Sequence, residues 1–208
     1  MQELSPNPYI IGEYLKMRRF VIGVVGDARI GERSRKHKLA ISLGRSLIDK
    51  NYRIVTGGVG DLPYAISLGA RSSSNYHDGD LIGILPGFDP SVAEDYCDIT
   101  IATGMDQARN MIIANCDAVV AIGGGAGTLS EIAYAWSLKR LILSYRIDGW
   151  SKKLADKRID SRVRYKEIVR DRIYPVDSSE DVIRLLAKWL PKYTRRHREV
   201  KVRARRLN

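Results

Sequence analysis

The apolar positions along this chain repeat one unit several times: a short β-branched run, a glycine turn, then apolar residues at helical spacing. The first run covers residues 21–25, and Gly26, Asp27 and Ala28 make the first turn. Ala40, Leu43, Leu47 and Ile48 lie near the helical period and predict a helix over 40–49. Arg53–Thr56 reads as the second strand, followed by Gly57, Gly58 and Gly60 and then by Tyr64, Ala65, Leu68 and Ala70 on a helix. Leu81–Leu85 and Ile99–Ala102 read as strands on either side of an acidic, irregular stretch over 88–98. Residues 106–115 are predicted helical, with Ala108, Met111 and Ile112 toward the core and Arg109 on another face. Ala118–Ile122 has the composition of a strand covered on both faces, and residues 140–145 supply another. Val182, Leu185, Leu186 and Trp189 define a last amphipathic helix over 180–190, which Pro191 stops.

This alternation predicts an α/β fold: one doubly wound, mainly parallel sheet over residues 20–191 with helices on both faces. An N-terminal extension, 1–19, with a short helix around 12–18, and a basic tail, 192–208, flank it. In such sheets ligands lie outside the carboxyl ends of the strands where the winding reverses. The two glycine turns, after residues 56 and 122, fall at that edge and can share one ligand.

Residues 117–136, DAVVAIGGGAGTLSEIAYAW, concentrate the candidate chemistry. Gly123, Gly124, Gly125 and Gly127 have no Cβ, so backbone N–H groups can close on a ligand. Thr128 is the predicted N-cap, and Leu129, Ile132, Ala133 and Trp136 continue a helix whose first N–H groups favour an anion. The stretch is neither a Walker A motif nor a GxGxxG fingerprint, and tight packing alone also accounts for such a turn. Glu131 has two readings, as the far member of a Thr128–Glu131 capping box or as a carboxylate that serves a ligand. Arg109 is either half of a surface pair with Asp106 or a partner for an anionic or hydroxyl-bearing ligand. Arg29, Arg33, Arg35, Lys36 and Lys38 read as an exposed helix entry that could also reach an anion.

The segment GGGAGTLSE, residues 123–131, resembles the Pro-Gly-Gly-x-Gly-Thr-x-x-Glu signature of the Lonely Guy (LOG) proteins, also called lysine decarboxylase-like. TGMDQARN, 103–110, resembles their Met-x-x-Arg helix start, and VTGGVGDLPYAISLGA, 55–70, their second glycine turn. With VIGVVG at 21–26 and GILPG at 83–87 the similarity spans about residues 20–147, in wording nearest to the branch related to molybdenum-cofactor carrier proteins. The resemblance implies a Rossmann-like fold and a small phosphate-bearing ligand, nucleotide (AMP-like) or molybdopterin-type, with no cofactor required. It implies Gly26, Gly57, Gly58, Met105, Gly124, Gly125, Gly127 and Thr128 as binding residues, with Arg109 and Glu131 as the catalytic pair. Two activities follow from it: a binding protein, or a phosphoribohydrolase that splits a nucleoside 5′-monophosphate into free base and ribose 5-phosphate. It also implies a homodimer or higher homo-oligomer. Gly123 stands where the family has Pro, Ser130 where it has Glu, Asn110 where a basic residue is common, and Asp27 where small hydroxyl residues are common. Gly123 reads as a more permissive loop that suits a bulkier ligand. Lysine decarboxylation is excluded, because the motif supplies no lysine for pyridoxal phosphate.

The formal charge of +11 is unevenly spread. Residues 192–208 hold eight Lys or Arg against Glu199, and residues 151–172 hold nine against four acids, so the remainder is close to neutral. The 151–172 stretch reads as an extended loop or surface helix. The tail reads as a solvated end, with nucleic-acid phosphates as the alternative partner. No apolar run approaches the ~18 residues of a membrane span and no secretory pattern opens the chain, so a cytoplasmic protein without membrane contact is expected. Cys97 and Cys116 lack metal-ligand spacing and read as buried, reduced thiols.

Overall fold

A computed structural model describes residues 18–195. In chain order it contains β1 (Val21–Gly26), α1 (Arg35–Asp49), β2 (Arg53–Thr56), α2 (Asp61–Arg71), β3 (Leu81–Leu85) and β4 (Ile99–Ala102). There follow α3 (Asn110–Ala114), β5 (Ala118–Ile122), α4 (Ala126–Ser137), β6 (Leu141–Tyr145), α5 (Trp150–Leu154), β7 (Tyr174–Val176) and α6 (Ser179–Trp189). The seven strands form one sheet in the order β4-β3-β2-β1-β5-β6-β7, and every pairing is parallel. The chain winds outward from β1 to β4, returns to β5 beside β1, and winds the other way. The reversal therefore lies between β1 and β5, which are central and buried.

Alternation along each strand sends side chains to both faces. On one face Ile22, Val24, Ile54 and Val120 pack with Leu43, Leu47, Ile66 and Leu186 of α1, α2 and α6. On the other, Val25, Val119 and Ala121 pack with Ile113, Ile132, Ala135 and Trp136 of α3 and α4. The α1–α2 contact needs glycine: a Cβ on Gly69 would lie 1.9 Å from the Ile41 carbonyl oxygen. Both cysteines are free and buried, and burial pushes their thiols up, Cys97 to about 11 and Cys116 to about 12.

Several local expectations change. The first helix begins at Arg35, five residues before the apolar period, because the Ser34 hydroxyl caps it by accepting from the His37 amide at 3.2 Å. Residues 106–109 form a tight 3-10 turn and α3 only starts at Asn110, which rotates the expected face. Asn110, Ile113 and Ala114 are buried, while Ala108, Met111 and Ile112, predicted core, are exposed. The charged stretch 151–172 is neither a plain loop nor a surface helix. It supplies α5 and then a loop that buries Arg164, Tyr165, Ile168 and Asp171 and leads to β7. The packed body continues past Pro191 to Tyr193, which is 2% exposed beside Tyr165 and Tyr174. The expected N-terminal helix around 12–18 falls, apart from Arg18, outside the described residues, as does the tail from 196 on. No helix among the described residues is long and apolar enough to cross a membrane.

Candidate functional site

The carboxyl ends of β2, β1 and β5 open onto a cleft of about 160 Å³ at the point where the winding reverses. Gly26, Gly57, Arg109, Gly127, Thr128 and Glu131, all expected from sequence, line this one cleft. Asp27, Gln107, Asn110 and Leu62 complete much of its wall. Gly26 has to be glycine because a Cβ would lie 2.2 Å from the Ile122 carbonyl oxygen and 2.6 Å from Leu62, where β1 and β5 close together.

The loop after β5 works differently from its sequence reading. Gly123 and Gly124 have φ of +67° and +98°, so the chain turns early and α4 starts at Ala126 with Gly125 as its N-cap. Thr128 is thus the third helical residue. Its hydroxyl donates to the Gly26 carbonyl at 3.0 Å and ties α4 to the end of β1. No capping box forms, since Glu131 lies a full turn inside the helix. The N–H groups of Ala126, Gly127 and Thr128 have no partner within the helix, as at any helix start. Gly125 is exposed, and nothing lies within 4 Å of where its Cβ would be. The loop is braced from behind by α5: the Trp150 and Ser151 amides donate to the Gly124 and Gly123 carbonyls at 2.9 Å, and the Gly123 amide donates to Ser151 Oγ at 2.8 Å.

Arg109 is brought in by a loop pinned to the end of β3. Thr103 Oγ1 donates to the Leu85 carbonyl at 2.7 Å, and the Gly104 and Asp106 amides donate to the Gly87 and Pro86 carbonyls at 2.9 and 3.1 Å. The exposed Phe88 ring lies over Gly104, whose φ of +63° is the left-handed conformation that favours glycine. From there the Arg109 guanidinium lies over Gly57, whose added Cβ would meet it at 3.2 Å. Arg109 forms no hydrogen bond or ion pair with any described residue, so the surface pair with Asp106 is absent, and its Nε is buried without a partner. Burial lowers its pKa, while the charges of Glu131 and Asp106 raise it. Glu131 likewise accepts no hydrogen bond, and burial pushes its carboxyl up to about 8 against the opposing pull of Arg109. Burial thus favours the protonated form of the Glu131 carboxyl in a cleft where Arg109 has no ion pair with any described residue.

Four expected binding residues lie outside the lining. Gly58, at φ +69°, is held by packing, because a Cβ would strike Leu85 at 2.2 Å. Gly124 is pressed against Thr128, Gly125 stands at the open helix start, and Met105 is exposed at the foot of the 3-10 turn. The departures from the family pattern meet in pairs. Asn110 Nδ2 donates to Ser130 Oγ at 2.8 Å, and Ser130 Oγ donates to the Gly127 carbonyl at 2.7 Å, so a neutral bridge stands where two charges were expected. Gly123 does not make the loop roomier: the space of its missing Cβ is filled by Asp27 and Lys36, which form an ion pair at 2.5 Å. Gln107 was not singled out from sequence, since an exposed polar residue on a predicted helix carries no signal until the turn is known.

Residues 19–174 match the model of the SLOG cluster4 family. The chain belongs to that family, in the LOG-like Rossmann superfamily related to molybdenum-cofactor carrier proteins. It is 37% identical over 120 residues to an uncharacterized protein of Archaeoglobus fulgidus, a match covering 57% of this chain and 75% of that protein. Among solved structures, the molybdenum cofactor binding protein of Rippkaea orientalis is 30% identical with a TM-score of 0.65, covering 83% of this chain and 98% of the other. The Moco carrier protein of Chlamydomonas reinhardtii, 24% identical with a TM-score of 0.65, covers 84% and 99% and is alike in fold.

Proposed function

We propose that this protein binds a nucleotide or nucleotide-like small molecule by its phosphate, held at the start of α4 by the backbone N–H groups of residues 124–128, with Thr128 fixing that helix start to the end of β1. The observation that carries the reading is the unpaired Arg109 in the same cleft as an open helix N-terminus, with Glu131 buried against them. A half-buried guanidinium without an ion pair is costly unless an anion completes it. The cofactor-binding relative from Rippkaea orientalis supports a molybdopterin-type ligand as one candidate. The phosphate end of such a group fits the donors present. The cleft of about 160 Å³ is open to solvent and below the ~300–1,000 Å³ of pockets that bury a drug-sized ligand, so the ring system would extend beyond it. The same holds for the base of an AMP-like nucleotide.

That shortfall, together with one bare face, supports a homo-oligomer. Ile99 and Ile101 of the edge strand β4 register with Ile82 and Ile84 on the α3–α4 side of the sheet, where no helix among the described residues covers them. Met105, Met111, Ile112 and Tyr134 extend the exposed apolar surface nearby. A second copy on this face would bury it. Light scattering on the purified chain should give at least a dimer, and Ile101→Lys should shift it toward monomer.

The second reading, a nucleoside 5′-monophosphate phosphoribohydrolase, draws on Glu131. In that reaction water adds at C1′ of the ribose, the C1′–N bond breaks, its electron pair leaves with the base, and the base takes up a proton. An ionised Glu131 would stabilise the oxocarbenium-like charge, so turnover would rise as pH climbs toward 8. The deciding experiment incubates the protein with a panel of nucleoside 5′-monophosphates and follows free base by chromatography, with mass analysis of any ligand carried through purification. Base release lost in both Arg109→Ala and Glu131→Ala establishes the enzyme. A retained phosphate ligand without release establishes the binding protein, and equal ligand retention by Thr128→Val refutes the cradle.

A further inference from the structure

Asp27 directly follows β1 at the reversal point and lines the cleft. Its Oδ2 accepts from the Lys36 ammonium in the first turn of α1, and its Oδ1 accepts from no described residue. The pair rests on the glycine loop: a Cβ on Gly123 would lie 2.1 Å from Asp27 Oδ2 and 2.7 Å from Lys36 Nζ. Backbone and side chains are therefore matched here. The left-handed turn that opens α4 also makes room for a carboxylate fixed by a salt bridge. An ionised carboxylate only accepts hydrogen bonds, with about four lone-pair sites over its two oxygens. Beside a phosphate it repels, and Lys36 offsets that repulsion without using up the second oxygen.

We propose that Asp27 determines specificity by accepting a hydrogen bond from an O–H or N–H donor on the ligand beyond its phosphate, with Lys36 holding the carboxylate in position. The proposal rests on the phosphate-cradle reading. On it, the cleft selects an organic phosphate over inorganic phosphate, and the donor is either a sugar hydroxyl or an N–H of the base.

The test is calorimetric titration of the full chain with inorganic phosphate, ribose 5-phosphate and adenosine 5′-monophosphate, in the wild type and in Asp27→Ala, Asp27→Asn, Lys36→Met and Thr128→Val. Asp27→Ala should weaken the nucleotide about tenfold or more, the loss of a hydrogen bond to a charged group, and leave inorganic phosphate unchanged or tighter. A parallel loss for ribose 5-phosphate assigns the donor to the sugar, and a loss confined to the nucleotide assigns it to the base. Lys36→Met should lower the same discrimination by a smaller factor. The isosteric Asp27→Asn, with its melting temperature measured alongside, separates loss of recognition from loss of folding. Nucleotide and inorganic phosphate changing by the same factor in the Asp27 variants overturns this inference and leaves the cradle standing. A wild type that binds no probe, or a Thr128→Val variant that binds them all undiminished, overturns the cradle and the inference together.

Discussion

Two buried arginine–carboxylate neighbourhoods, one at each end of α4, are built in opposite ways. Near its C-terminal half, Arg164 and Asp171 are both almost fully buried and joined at 2.8 and 2.5 Å. Arg164 also donates to the Arg140 carbonyl at 2.9 Å and stacks 3.7 Å over the Trp136 ring, while Tyr193 donates to Asp171 at 2.5 Å. Nearly every polar valence is used. At the other end, Arg109 and Glu131 share a cleft and form no bond with each other or with any other described side chain. A complete network anchors structure, because low dielectric strengthens satisfied partners and penalises missing ones. The incomplete one keeps its bonding capacity for a ligand. Counting charged residues would rank the two alike; their hydrogen bonds separate them.

The comparison breaks most readily at the satisfied end. Asp171→Ala leaves Arg164 buried and uncompensated, and should cost about 3–5 kcal/mol of stability in urea unfolding while the remaining folded protein binds ligand normally. A cost near zero would make the network decorative. The next effect has the opposite sign. Glu131 has a folded pKa raised from 4.5 to about 8, so the folded state holds a proton that the unfolded chain gives up, and stability falls as pH rises between those values. Glu131→Gln keeps the neutral form at all pH. It should match the wild type below about pH 4.5 and exceed it by roughly 1–3 kcal/mol at pH 8 and above, in melting curves recorded across that window. Parallel curves for the two proteins would mean that the Glu131 carboxyl titrates alike in the folded and unfolded chain, and a wild type that gains on the variant with rising pH would mean that Glu131 is ionised and paired.

Most of the sheet was legible in the sequence because its strands are short, β-branched and bounded by glycine, and the repeated turn located the reversal. The exception is β7, whose three residues Tyr174–Val176 include a proline and show no alternation. The α3 face was misread because Asp106, at φ +46°, opens a 3-10 turn that shifts helical phase, and a periodicity count cannot see a positive φ on aspartate. Thr128 was misread as a cap for a related reason. The left-handed turn at Gly123 and Gly124 packs against Gly149, which follows the neighbouring strand β6 about 25 residues later in the chain, and a local pattern does not show that contact. At the site, Gly58, Gly124, Gly125 and Met105 were placed by the pattern but lie outside the cleft lining, while Gly26, Gly57, Gly127, Thr128, Arg109 and Glu131 were readable together. Their states were not, since burial of Glu131 and the missing partner of Arg109 depend on packing between segments far apart in sequence. The burial of Arg164 was hidden by composition: a stretch with nine basic residues looks solvated until Trp136 and Asp171 are known to meet one of them.

The smallest expected change in stability belongs to the residue expected to matter most for binding. Arg109→Ala removes a cation that has no ion pair to lose and that burial already disfavours, so urea unfolding at pH 7 should move by no more than about 1 kcal/mol. The packing of the guanidinium on Gly57 is lost, and relief of the buried charge offsets it. Removing Arg109 also removes the charge that pulls the Glu131 pKa down against burial, so that carboxyl should titrate higher in the variant than in the wild type, which an infrared carboxylate titration would detect. Ligand retention, by contrast, should be lost. A variant that unfolds as readily as Asp171→Ala would make Arg109 a second structural arginine and erase the distinction between the two ends of α4. A stable variant that no longer holds the phosphate would fix Arg109 as the cation the ligand completes.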